Sequence, residues 1–194
     1  MCDVTSDESF KGAFTECKKN FGGIDILINN AGVGDEKNLQ AVINVNLLGT
    51  IRGTSLALEH MSKDKGHEGG RVINVASIAG LKDIPFGPYY STSKAGIVHY
   101  TRVIGHPFHF NYTGVLVQCF CPSLVKTPFI HVTASRSYNP QCEAAIKSLF
   151  GKMPLLEVEE ATDALFTLLE DNKPGNVMVL ENGKAPYFVA PSVS

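Results

Sequence analysis

The chain has 194 residues, 44% of them hydrophobic, and a formal net charge of −2: enough apolar content for one core, with no basic excess to draw nucleic acid or an anionic membrane. No uninterrupted apolar run is long enough to span a bilayer, and the N-terminus lacks the basic-then-apolar order of an export signal. The five cysteines are odd in number and contain no C-x-x-C pair, which suits reduced thiols in a cytoplasmic protein.

Met1 to Val4 reads as the end of a strand, and Thr5-Ser6-Asp7-Glu8 as the cap of a helix with Phe10, Phe14 and Cys17 at helical spacing, closed by Gly22-Gly23. Ile24 to Asn29 is a near-continuous apolar run, the pattern of a parallel strand buried on both faces. The spacing predicts helix from about Asn38 to Lys65, with a break near Asn44, and then a strand from Arg71 to Ala76. After the loop Gly80 to Pro88, a helix starts near Tyr90 and stops early at Gly105 and Pro107. Val115 to Phe120 is the next strand; Cys119 and Cys121 share its face, too far apart to bridge easily. One short helix is expected between Thr127 and Met153, with Ile146, Leu149 and Phe150 on one face. A second has Val158, Ala161, Leu165, Leu168 and Leu169 on its buried stripe, and Val177 to Leu180 is the last strand. Strands alternating with helices predict an α/β fold with a parallel sheet. His106 and His109 have no cysteine or carboxylate at ligand spacing, so no metal site is expected.

Tyr90 and Lys94 stand four residues apart, one turn along a single helix face. A free tyrosine loses its proton near pH ~10, and an adjacent ammonium favours the phenolate, bringing Tyr90 towards the range of a base. Ser77, at a strand end, is placed to offer its hydroxyl to the same reacting oxygen.

The pair belongs to an ordered set: Asn29-Asn30-Ala31-Gly32, Asn44-Val45-Asn46-Leu47, Ile73-Asn74-Val75-Ala76-Ser77, Tyr90 with Lys94, and Cys121-Pro122. This set resembles the short-chain dehydrogenase/reductase family over nearly the whole chain. Cys2-Asp3-Val4, Glu36-Lys37-Asn38, Met61-Ser62-Lys63 and Gly96-Ile97-Val98 look like its NAD-dependent 15-hydroxyprostaglandin dehydrogenase branch.

The resemblance implies a Rossmann-like doubly wound sheet and an oxidation of a secondary alcohol, and its branch implies a prostaglandin-like lipid as the bearer of that alcohol. Tyr90 would take the hydroxyl proton as hydride leaves for the nicotinamide, Lys94 would keep Tyr90 acidic and hold the nicotinamide ribose, and Ser77 would stabilise the oxygen. Asn46 would hold a proton-relaying water; its plainer reading is a side chain bonding backbone at a helix break. Asp3 and Val4 match positions lining the adenine; the plainer reading of Asp3 is a cap of the next helix, a role that Ser6 or Thr5 would serve better. Asn30, Ala31 and Gly32 match a motif that is partly structural, joining strands, and partly a wall beside the adenine ribose. Val125 and Thr127 match the positions that hold the carboxamide. Ser77, Gly87 and Tyr90 would touch the substrate, and Thr127 to Met153, with Phe129, Ile130 and Phe150, would form its apolar lid. The implied partners are the small-molecule alcohol or lipid and a second subunit, in a homodimer.

Three positions depart from the family pattern. Ser123 follows Pro122 where the family prefers Gly, Gly87 stands where the branch has Gln, and Gly105-His106-Pro107 interrupts a helix that relatives use in dimers. The family's opening strand, glycine-rich turn and helix are not matched. Residues 1–194 therefore read as a single domain lacking its first two βα units, retaining strands 4-5-6-7 of the family sheet, with Ile24 to Ile28 turned into an edge. Without the pyrophosphate cradle, two or three charge-assisted hydrogen bonds at about 1.5–3 kcal/mol each are forgone, or roughly two to six decades of cofactor affinity. The rival expectation is a truncated, impaired form acting only through dimerisation or strand-edge pairing.

Overall fold

The computed structural model describes residues 2–190. Ser6 accepts from the Ser9 N–H at 3.2 Å and opens helix α1 (Asp7–Phe21), with Asp7 and Glu8 in its first turn and Lys18 and Lys19 in its last. Gly22 ends it at φ 83°, a left-handed conformation that suits glycine. Of the predicted opening strand, Met1 lies outside the described residues, and Cys2 to Val4 form an extended lead and a turn, not a strand. Asp3 is held there by Thr5, whose N–H and hydroxyl both donate to its carboxylate.

Strands β1 (Ile26–Asn29), β2 (Gly70–Val75), β3 (Val115–Pro122) and β4 (Val177–Leu180) run parallel in that order, and β5 (Tyr187–Val189) closes the sheet antiparallel to β4. The first four agree with the sequence reading. The short fifth strand does not announce itself in three residues after Pro186; it exists because β4 offers a free edge.

Side chains alternate across the sheet with the period of the pleat. Val72, Val115 and Val117 pack with Phe10, Phe14, Leu56 and Met61, while Cys119, Cys121, Val177 and Val179 pack with Ile97 and Val98. On the opposite face Ile73, Phe120 and Met178 meet Ala164 and Leu168 of helix α8 (Val158–Glu170). The remainder of the predicted α8 stripe is partly buried, except Val158, which starts the helix before the stripe turns inward and is 46% exposed. Strand β1 is not buried on both faces. It stands at the sheet edge, with Ile26 48% and Ile28 39% exposed.

The predicted long helix is a composite: α2 (Leu39–Val42), a π turn (Ile43–Leu48) and α3 (Gly49–Met61). The run Leu39–Met61 has the length and hydropathy of a membrane span, but lies against the sheet with polar Asn46, Thr50 and Thr54 buried. Asn29 of β1 donates to the Thr50 carbonyl, Thr54 Oγ1 and Asn74 Oδ1, and Asn74 in turn donates to Thr101 Oγ1. This network joins β1, β2 and α3 to helix α4 (Pro88–Ile104), which stops at Gly105 as expected. Helix α5 (Pro107–Thr113) follows it. Two helices, α6 (Phe129–Ser135) and α7 (Pro140–Phe150), occupy the region where one was expected.

Candidate active site

At the C-terminal ends of the parallel strands, Ser77 leaves β2 in extended backbone and accepts from the Ala79 N–H, capping a short 3-10 turn (Ile78–Gly80). That turn lies hard against α4: a Cβ built on Gly80 would stand 2.6 Å from the Lys94 carbonyl, so only glycine fits the approach. The close passage carries Ser77 to the face of α4 that bears Tyr90 and Lys94; the Ser77 hydroxyl donates to the Pro122 carbonyl at 3.5 Å and lies near enough to the phenol to lower its pKa.

Lys94 is buried, 4% exposed, and its Nζ donates to the Val75 carbonyl at 2.8 Å, 5.6 Å from the centre of the Tyr90 ring. An ammonium has three donors, so two remain for further acceptors among the described residues' surroundings. Burial pushes Lys94 down to about 8. Tyr90 does not follow the predicted direction. Burial pushes its phenol up to about 12, against the lowering effect of the Ser77 hydroxyl. The Lys94 ammonium, 5.6 Å from the ring centre and bonded to a backbone carbonyl, does not offset the burial of the phenol. Cys119 and Cys121 lie beneath, their sulfurs 3.7 Å apart and unbridged, and the Cys121 thiol is raised by its bond to Cys119 and by burial.

Asn46 is fully buried in the π turn. Its Oδ1 accepts from the Val33 N–H at 2.8 Å, and its Nδ2 donates to the Val33 carbonyl at 2.9 Å and to Ser93 Oγ at 3.0 Å. Ser93 Oγ passes the chain on to the Tyr90 carbonyl at 2.7 Å. Both amide hydrogens are thus taken by protein groups, which is the backbone-bonding role that a helix break suggests. Gly32 faces the same place: a Cβ there would lie 3.5 Å from Asn46 Oδ1 and 3.6 Å from Lys94 Nζ.

Ser77, Tyr90, Lys94, Asn46 and Gly32 are therefore brought together. Val4, Asn30 and Ala31 line a separate, mostly apolar cavity of about 330 Å³ along the open side of β1, with Ile26 and Ile28. Asp3 is absent from that lining, being exposed and engaged with Thr5. Val125 bridges to Leu156, and Thr127 Oγ1 donates to the Val125 carbonyl at 3.4 Å, leading the chain into α6. There Phe129 packs on the Tyr90 ring at 5.8 Å between centres. Ile130 is buried and Phe150 half-buried. Gly87 begins α4, where a Cβ would lie 3.3 Å from the Glu36 carboxylate. Glu36 and Asn74 were not expected in the site's framework. Both lie inside stretches that carry the family resemblance, Glu36-Lys37-Asn38 and Ile73-Asn74-Val75-Ala76-Ser77, and that membership is the signal that could have found them.

A mostly parallel α/β sheet with a hydroxyl pair and a buried lysine at its carboxyl edge defines a Rossmann-like oxidoreductase domain. A family model described as short chain dehydrogenase matches residues 1–137. The 15-hydroxyprostaglandin dehydrogenase [NAD(+)] of Rattus norvegicus is 35% identical over 97% of this chain and 72% of its own length. Alcohol dehydrogenase 2 of Ceratitis cosyra is 33% identical over 93% of this chain and 70% of its own. The crystal structure of levodione reductase superposes with a TM-score of 0.77 at 22% identity, covering 94% of this chain and 74% of that one, a likeness of fold. The chain belongs to the short-chain dehydrogenase family, and so to the oxidoreductases that use a nicotinamide cofactor.

Proposed function

We propose that the protein oxidises a secondary alcohol with NAD, and that the alcohol is borne by an apolar molecule such as a 15-hydroxyprostaglandin-like lipid. The observation that carries this reading is the placement of buried Lys94 over the Tyr90 ring, with the Ser77 turn packed against the same helix, in a chain of this family. The lipid-like substrate is supported by the name and similarity of the prostaglandin dehydrogenases and by the apolar ring of Phe129 packed on Tyr90.

The residues present fit the nicotinamide end of the cofactor. Lys94 has donors to spare for ribose hydroxyls, and Gly32 leaves the approach to its Nζ open. Val4, Asn30 and Ala31 offer the apolar wall against which an adenosine would lie. NAD supplies the acceptor for the hydride of the alcohol carbon when bound. Tyr90 receives the hydroxyl proton, and Ser77 donates to the substrate oxygen as that bond breaks, leaving a ketone. A phenol near 12 is a weak base for this step. The positive charge of Lys94, and that of the oxidised cofactor, favour the phenolate once water is excluded. Asn46 holds the Gly32–Val33 loop against the Tyr90 turn, so that these groups keep their spacing.

Two measurements test the reading. NAD titration, followed by NADH formation with a panel of secondary alcohols that includes a 15-hydroxyprostaglandin, should give turnover that Tyr90→Phe abolishes. Turnover that survives Tyr90→Phe, or no oxidation of any alcohol at saturating NAD, would reject it.

A further inference from the structure

The first turn of α4 carries Tyr90, yet its own cap, Gly87, has no side chain to satisfy the helix's free N–H groups. Pro88 has no N–H to satisfy, and Ser91 is served by the Gly87 carbonyl at 2.8 Å. The remaining two are taken by a residue distant in sequence. Glu36, 3% exposed, accepts the Tyr89 N–H on Oε2 at 2.9 Å and the Tyr90 N–H on Oε1 at 2.7 Å. A buried carboxylate requires such compensation, and the positive end of a helix supplies it.

The loop that presents Glu36 is fastened at the same time to the end of α6. The Glu36 N–H donates to the Arg136 carbonyl at 2.9 Å, Lys37 Nζ to the Ser135 carbonyl at 3.3 Å, and Asp35 pairs with Arg136 at 3.6 Å. Gly34 packs so closely that a Cβ there would stand 2.4 Å from Thr133 Oγ1. The other end of α6 places Phe129 on the Tyr90 ring. The loop thus touches the Tyr90 helix through the Glu36 side chain and the segment beside the phenol through the Glu36 N–H and the Asp35 and Lys37 side chains.

We propose that Glu36 is a positioning residue for Tyr90: its carboxylate anchors the first turn of α4, and its backbone ties that anchor to the α6 segment packed on the phenol. Glu36 touches no reacting atom in this arrangement. It sets where the Tyr90 ring stands and how far water is kept from its hydroxyl. The catalytic consequence rests on the reading of Tyr90 as the proton acceptor, whereas the placement itself does not.

The test reads Tyr90 directly, without turnover. Replacing the tyrosines biosynthetically with 3-fluorotyrosine lowers their titration into a range compatible with the fold, and the Tyr90 fluorine resonance is assigned by its loss in Tyr90→Phe. Ser77, Cys121 and Lys94, the other polar groups facing the phenol, stay in place in every variant. In Glu36→Ala the turn loosens, water reaches the hydroxyl, and the midpoint should fall by about one pH unit, a roughly tenfold gain in acidity. Glu36→Gln keeps the shape and one acceptor oxygen, and should fall by less than half as much. If the alanine variant does not fold, Glu36→Asp, which keeps the charge but shortens the reach, takes its place, a measurable fall then supporting the proposal and an unchanged midpoint rejecting it. An unchanged midpoint in a folded but less stable Glu36→Ala would mean a cap that serves only the fold, and would overturn the proposal. So would equal falls in Glu36→Ala and Glu36→Gln, which would mark an effect of charge instead of placement. If the titrations behave as expected but no alcohol is oxidised, the functional reading fails and the positioning role stands.

Discussion

Lys94→Met should make the protein more stable while removing the group proposed to hold the cofactor ribose. Lys94 is buried, and burial takes it from the ordinary lysine value of 10.5 to about 8, which corresponds to about 3 kcal/mol against the folded state wherever the lysine is charged in both states. The sign follows from proton counting: between pH 8 and 10.5 the unfolded chain holds the proton that the folded chain has lost, so stability rises with pH across that window. The penalty is therefore full below pH 8 and gone above 10.5. Methionine removes it but leaves the Val75 carbonyl without its 2.8 Å donor, which costs about 1 kcal/mol. Near pH 7 the variant should gain about 2 kcal/mol, and near pH 9.5 almost nothing, because only about 1.5 kcal/mol of penalty remains there. Urea unfolding of both proteins at the two pH values, with equal slopes, reads the difference as a shift of midpoint. A variant less stable than the parent at pH 7, or a gain that does not shrink by pH 9.5, would refute the reasoning. The expected outcome is a trade of stability for function at one side chain.

Tyr90→Phe tests the opposite sign. The Tyr90 phenol is raised from 10 to about 12, so it contributes stability that is fully present below pH 10 and lost as pH rises through 12. Unfolding midpoints of Tyr90→Phe should consequently fall less steeply than the parent's from pH 9.5 upward, and parallel curves would contradict the burial of the hydroxyl. Asn74→Ala breaks bonds to Asn29 Nδ2, Thr54 Oγ1 and Thr101 Oγ1, and should lose about 2–3 kcal/mol by denaturant unfolding. Combined with Thr101→Val, the loss should be smaller than the sum of the single losses, by about 0.5–1 kcal/mol, and strict additivity would disprove the coupling. Gly53→Ala places a Cβ 2.2 Å from Asn29 Oδ1 and 2.8 Å from the Phe10 ring, and thermal melts should show about 1–3 kcal/mol of destabilisation.

Periodicity and punctuation determined most of the fold before any coordinates. The apolar runs of β2, β3 and β4 are strands because both their faces are covered, and Gly22, Gly105 and Pro107 stop helices through local backbone chemistry that needs no distant partner. Tyr90 and Lys94 share a helix face for the same local reason, and the ordered motifs sufficed to indicate the family. Three further matters were decided only by packing. The burial of β1 is one: its apolar run suggests two covered faces and the family's strand order an edge, and the sheet has it at the edge with Ile26 and Ile28 exposed. The acidity of Tyr90 depends on where the Lys94 ammonium points and on how much water reaches the phenol: four residues of spacing set the face, but not the aim. Glu36 and Asn74 act through bonds to groups 20 to 54 positions away, and their side chains carry no local period that would mark them. Local chemistry therefore settled which elements form, whereas the electrostatics of the site waited for the chain to fold, because burial and direction are properties of neighbours in space.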